Sequence, residues 1–126
     1  MARVTGIGGV FIKSKNPKAL LAWYRDTLGI PMEDWGTMFQ FKDDLATGRE
    51  GFSVFSVHDA DTKYYDPSKR EFMINLRVDD MKGMIAALKA KGVEIVGQND
   101  TDPSGWFVWV MDPDGTKVEL WEPKKA

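Results

Sequence analysis

Apolar and small or polar residues alternate loosely along Val4–Ser14, the two-residue period of a strand whose side chains point to opposite faces. The period then lengthens. Asn16 and Pro17 suit an N-cap and a first helical residue, Leu20, Leu21, Tyr24 and Leu28 recur at helical spacing, and Gly29 is the stop. Strand-like stretches follow at 31–35, 38–42 and 52–57, separated by the turn-prone Trp35-Gly36-Thr37 and the polar residues 43–51. At Phe72 the order begins again. Residues 73–78 alternate as a strand, Asp79 or Asp80 caps a helix with the stripe Met81, Met84, Ile85 and Leu88, and Gly92 stops it. Three more strands are expected at 93–97, 106–111 and 117–121.

The chain therefore writes a βαβββ unit twice, in modules of about residues 1–58 and 72–126 of a single domain spanning 1–126. Superposing the two sets Gly9-Val-Phe-Ile-Lys13 over Met73-Ile-Asn-Leu-Arg77, Lys18 over Lys82, Ala22 over Ala86, and Gly29 over Gly92 after a one-residue gap. The predicted fold class is α+β, with two modules forming a cupped, half-open mixed sheet and helices outside. Residues 58–71, with Tyr64 and Tyr65 among them, join the modules; a solvated linker is expected, with a flap over a site as the other reading.

Strand parity sorts the two faces. Val10 and Ile12, then Ile74, Leu76 and Val78, then Val118 and Leu120 form one apolar set, expected to pack on the helices. The opposite set holds Gly9, Phe11 and Lys13; Met73, Asn75 and Arg77; and Lys117, Glu119 and Trp121. A mixture of aromatic, polar and charged residues on a concave face suits a small-molecule cleft, which is mostly apolar with a few placed polar groups. The plainer alternative is a solvated face of an antiparallel sheet.

Composition narrows the partners. With 17 basic and 19 acidic residues spread along 126, the chain has no basic patch for nucleic acid. It has no cysteine, hence neither disulfides nor thiolate sites, and no apolar run approaches the ~20 residues of a membrane span. A cytoplasmic protein without nucleic-acid or membrane partners is expected.

The doubled βαβββ order, the opening Ile7-Gly-Gly-Val-Phe-Ile-Lys13, the helix end Trp23-Tyr-Arg-Asp-Thr-Leu-Gly29 and the closing Asp112-Pro-Asp-Gly-Thr-Lys-Val-Glu-Leu-Trp-Glu-Pro123 together resemble the vicinal oxygen chelate superfamily. That superfamily includes glyoxalases, bleomycin-resistance proteins and extradiol dioxygenases. The resemblance implies divalent-metal ligands on the first and last strands of each module. Carried over, those positions fall at Gly9, at Met73, among Ser53, Phe55 and their neighbours, and at Glu119. Only Glu119 is a ligand of the required type, so no bound metal is expected, and the single histidine, His58, is read as a surface or capping residue.

The expected activity is binding of a small, oxygen-rich or anionic ligand by Phe11, Lys13, Met73, Asn75, Arg77 and Trp121, with Trp106 or Trp109 as further candidates. Lys13 and Arg77 occupy equivalent places in the repeats; they contact the ligand or pair with Glu119. The alternative is a metal-dependent lyase, isomerase or dioxygenase with Glu119 as ligand or general base. A third reading is an interaction module whose cleft its own aromatics fill. The resemblance also implies a homodimer, to which exposed aromatics such as Trp23 or Trp35 would contribute.

Overall fold

The computed structural model describes residues 2–28, 30–40 and 52–124. The first helix starts where its cap dictates: Asn16 Oδ1 accepts from the amide of Ala19 at 3.2 Å, so α1 (Pro17–Leu28) follows directly on β1 (Val4–Ser14). The second is capped by Asp80, not Asp79. Its side chain accepts from the Gly83 amide at 3.0 Å, and α2 (Met81–Ala90) is capped at Lys91 and followed by Gly92, whose φ of 75° lies in the left-handed region. The strands are β2 (Gly36–Gln40), β3 (Phe52–Asp59), β4 (Phe72–Val78), β5 (Ile95–Asp102), β6 (Gly105–Met111) and β7 (Lys117–Pro123). The expected helix stop at Gly29, the end of the 38–42 strand and the 43–51 turn lie outside the described residues.

One mixed sheet contains all seven described strands in the order β2-β3-β1-β4-β7-β6-β5. The first strands of the two modules lie side by side at its centre and run antiparallel. Their register carries the repeat: Gly9 faces Asn75 and Phe11 faces Met73, two pairs that exchange when residue 9 is set over 73 and 11 over 75. Within each module the last strand returns parallel to the first, β3 beside β1 and β7 beside β4. The α+β prediction of two such modules in a cupped, half-open sheet thus matches the observed architecture.

The strand expected at 31–35 does not form. Pro31 has no amide to give a ladder, Met32 donates back to the Ile30 carbonyl at 2.8 Å, and Glu33 donates to the Gly36 carbonyl at 2.7 Å. The segment curls, and only the Trp35 carbonyl reaches β3, taking the Val57 amide at 2.8 Å. The 93–97 strand starts later and runs on to Asp102, because its polar continuation pairs with β6 through Gln98–Val108 and Asn99–Phe107. A polar strand at the sheet edge discourages pairing with other chains.

Each helix covers its own half of the convex face. Met81 from α2 is buried with Val78, Val108 and Leu120, and Met84, Ile85 and Leu88 pack around them. Leu21 from α1 is buried with Met32 and Val57, against Ile12, Tyr24 and Phe55. Each such side chain contributes about 1.5–3 kcal/mol of burial. Between the helices the central seam stays open. Val10, expected under a helix, is 43% exposed and Ile7 is 62% exposed, since neither helix reaches over the middle of β1. Among the described residues no helix is long and apolar enough to cross a membrane.

Residues 60–71 are mostly exposed, as expected of a solvated linker, but they are built of hydrogen-bonded turns. Successive turns are closed by Thr62 N to Asp59 O, Asp66 N to Lys63 O and Ser68 N to Tyr65 O, at 2.9–3.0 Å. Both ends are tied to β1, through Ala60 N to Ser14 O and Lys13 N to Glu71 O. The segment delivers Tyr65, fully buried, onto the cupped face with Phe11 and Met73.

Candidate functional site

Parity brings Glu119 of β7 to the floor of the cup, beside Asn75 of β4 in the parallel ladder. At 1% exposure a carboxylate needs donors, and it has three. Asn75 Nδ2 donates to Oε1 at 2.6 Å, Trp109 Nε1 donates to Oε2 at 2.7 Å, and the Tyr64 hydroxyl also donates to Oε2. Burial pushes the Glu119 carboxyl above its usual range; the three donors and the nearby Lys117 pull against that shift. Burial likewise raises the Tyr64 hydroxyl, reinforced by the charge of Glu119, so Tyr64 stays a donor.

Rings enclose this floor. Phe107 stacks on Trp109 at 6.2 Å and on Trp121 at 6.1 Å, Phe52 leans on Trp121 at 4.7 Å, and Phe11, Tyr64 and His58 pack against one another. The arrangement leaves a cavity of about 330 Å³, at the lower end of small-molecule sites, bordered by Phe11, Trp35, Phe52, Tyr64, Phe107 and Trp121, with Glu119, Asn75 and His58 as polar groups. Trp35, Met38 and Ser104, all exposed, stand at its mouth.

Of the residues singled out from sequence, Phe11, Asn75 and Trp121 line the cavity together with Glu119. Met73 is fully buried beneath Phe11 and Tyr65 as packing. Lys13 and Arg77 are not among the lining residues: the Lys13 ammonium lies over the Tyr65 ring at 5.0 Å, and the Arg77 guanidinium over the Trp121 ring at 5.9 Å. The cation acting on Glu119 is Lys117, two residues along its own strand, whose Nζ donates to the Tyr64 carbonyl at 2.6 Å. Of the two tryptophans left open, Trp109 faces the cup and Trp106 packs under α2.

Sequence reasoning missed Tyr64, Phe52, Phe107 and His58. Parity along β3 sets Phe52, Val54, Ser56 and His58 on one face, and this was the available signal for two of them. His58 is neither a surface nor a capping residue; its Nδ1 pairs with the Tyr65 hydroxyl at 2.9 Å, and burial lowers its pKa, keeping it neutral. Tyr64 sits outside both repeats, where no periodicity points inward.

The same register locates the metal positions that the family implies. Asn75 pairs with Glu119, and its repeat equivalent Phe11 pairs with Ser56, so Ser56 is the counterpart of Glu119; Phe55 faces α1 instead. The four positions are thus Gly9, Met73, Ser56 and Glu119. They do not fit a divalent ion: one has no side chain, Met73 is a buried thioether, and Ser56 donates its hydroxyl to the Trp35 carbonyl at 3.2 Å. Both oxygens of Glu119 already face the positive ends of N–H or O–H donors. Among the described residues no three His, Cys, Asp or Glu side chains converge.

The sequence matches the family model of the glyoxalase-like domain over residues 9–121. No curated protein matches it. Among solved structures it is similar to methylmalonyl-CoA epimerase from Mycobacterium tuberculosis, at 22% identity and a TM-score of 0.63 over 96% of this chain and 89% of that one. It is similar also to the Mn(II)-bound glyoxalase from Novosphingobium aromaticivorans, at 24% identity and a TM-score of 0.62 over 97% of this chain and 40% of the other. A 2,3-dioxygenase from Pseudomonas sp. KL28 gives 20% identity and a TM-score of 0.65, over 98% and 42%. Motifs, doubled topology and family match agree, and the chain belongs to the glyoxalase-like domain family of the vicinal oxygen chelate superfamily.

Proposed function

We propose that this protein binds a small organic molecule in the aromatic cavity over its cupped sheet, and does so without a divalent metal. The observation that carries the reading is Glu119: a buried carboxylate at a family ligand position, satisfied by Asn75, Trp109 and Tyr64 in place of an ion. Phe11 and Trp121 supply the flat walls, Asn75 and Glu119 the polar floor, and Met73 the packing beneath. Lys13 and Arg77 act by holding Tyr65 and Trp121 in place and not by gripping an anion. The exposed central seam at Ile7 and Val10 is offered to a second copy of the chain, consistent with a homodimer.

The test is metal analysis of protein purified without chelator, joined to a thermal-shift screen of small organic molecules. Metal-free protein whose melting temperature rises with ligands, and rises less in Trp121→Ala, supports the reading. Stoichiometric Zn, Ni, Mn or Fe that is lost in Glu119→Gln overturns it.

One observation favours a second reading, an isomerase or lyase. A carboxyl raised by burial at the end of an apolar cavity is poised to move a proton. Turnover of a carbon acid that Glu119→Gln abolishes while leaving ligand binding intact would establish it.

A further inference from the structure

The lining of the cavity has a charge sign. Among its described residues Glu119 is the only one carrying a formal charge, and His58 is held neutral by burial. The cation acting on Glu119 is Lys117, which is not among the lining residues and lies over the rings of Tyr64 and Trp109 at 5.2 and 5.5 Å. One acceptor on the floor is also unfilled: Oε1 of Glu119 takes one donor, against the two that a carboxylate oxygen can accept. A ligand that brings an N–H group supplies the second. The walls are faces and edges of Phe11, Phe52, Tyr64, Phe107 and Trp121, which attract cations through their ring quadrupoles.

We infer that the ligand class of this cavity is a small planar organic cation bearing N–H groups, such as a protonated amidine, guanidine or amino-heterocycle. This inference rests on the small-molecule reading of the same cavity. The cation's N–H group meets Glu119 Oε1 while its plane lies against the rings. A neutral ligand of the same shape forgoes the charge-assisted bond, and an anion meets a buried carboxylate with no lining cation to offset it.

Three isosteric probes decide the matter on the unaltered protein: benzamidinium, benzamide and benzoate, titrated at neutral pH and followed by tryptophan emission and calorimetry. The expected order is benzamidinium tightest, about tenfold over benzamide, with benzoate weakest. In Glu119→Gln, checked for folding by circular dichroism, the preference for benzamidinium over benzamide collapses to within about twofold. Equal binding of benzamidinium and benzamide overturns the charge inference and leaves the small-molecule reading standing. Benzoate binding tightest, and weakening in Arg77→Ala, replaces it with an anion site. Binding of none of the three overturns the cation inference, and the small-molecule reading then falls or stands by its own thermal-shift screen.

Discussion

Replacing Tyr64 with phenylalanine removes one oxygen and keeps the ring against Phe11, His58, Tyr65 and Trp109. What is lost is the donor to Glu119 Oε2. A hydrogen bond to a charged acceptor is worth about 1.5–3 kcal/mol net. Because the Tyr64 ring is 37% exposed while its acceptor is buried, the lower half of that range applies, about 1.5–2 kcal/mol. For 126 residues a kcal/mol moves the melting temperature by about 4 °C, so a fall of roughly 6–8 °C is expected. Urea melts at neutral pH measure the loss directly. The same substitution in a Glu119→Gln background should cost less by about 1 kcal/mol, since the charged acceptor is gone. Hydrogen exchange at the Asp66 and Ser68 amides should quicken, because the hydroxyl anchors the turns in which they are bonded. A loss below about 0.5 kcal/mol, or an equal loss in both backgrounds, would refute the claim that Tyr64 latches the connecting segment to Glu119.

Glu119 also sets a pH dependence: its carboxyl is raised above 4.5 in the folded state, so the fold binds that proton more tightly than the unfolded chain does. The stability of the native protein relative to Glu119→Gln should therefore increase as pH falls from neutral towards 4.5, and a flat or opposite trend in melting temperatures would contradict this. Gly8→Ala should cost about 1–3 kcal/mol, because a Cβ there collides with Asn75 Oδ1 and comes within 3.0 Å of Trp121, whereas Gly6→Ala, with nothing within 4 Å, should stay within about 0.5 kcal/mol. Met73→Ala should cost about 2–5 kcal/mol by opening a void under Phe11 and Tyr65, and Met73→Leu less than about 1.5 kcal/mol; chemical denaturation measures both. Light scattering should find a dimer that Val10→Arg reduces to monomer; a monomeric parent would refute the interface assigned to the central seam.

The scaffold was readable because its signals are local. Caps at Asn16 and Asp80, the stripes of both helices and the parity of β1, β4 and β7 each depend on residues a few positions apart. The strand expected at 31–35 failed where a local pattern met a local veto, a proline and a glycine around residues that curl back on themselves. The site was readable only where it lies on those strands. Phe11, Asn75, Glu119 and Trp121 follow from alternation alone, but which charge meets Glu119 depends on side-chain length and register. Lys13 and Arg77 share its face, yet each stacks on a ring, and Lys117, closer along the same strand, acts on the carboxylate. Tyr64 was out of reach because its role depends on the course of the connecting segment, which has no period to read.

The repeat itself gives a physical reason for the metal-free site proposed above. A site shared between two equivalent modules needs ligands from both, and here four equivalences are broken. Glu119 answers to Ser56, Asn75 to Phe11, Trp121 to His58 and Met73 to Gly9. The second module supplies the carboxylate and two of its three donors; the first supplies apolar wall and a neutral imidazole. The third donor comes from neither, since Tyr64 belongs to the connector. On the proposed reading, recognition rests on one half of the cup plus a latch, and a latch can yield where a metal ligand set cannot. If that is so, Tyr64→Phe should weaken the fold and yet admit ligand faster, because the hydroxyl it removes ties the connecting segment down beside the carboxylate that the ligand must reach. Stopped-flow quenching of tryptophan emission would show it, and an unchanged or slower association rate would mean that the segment is wall and not latch.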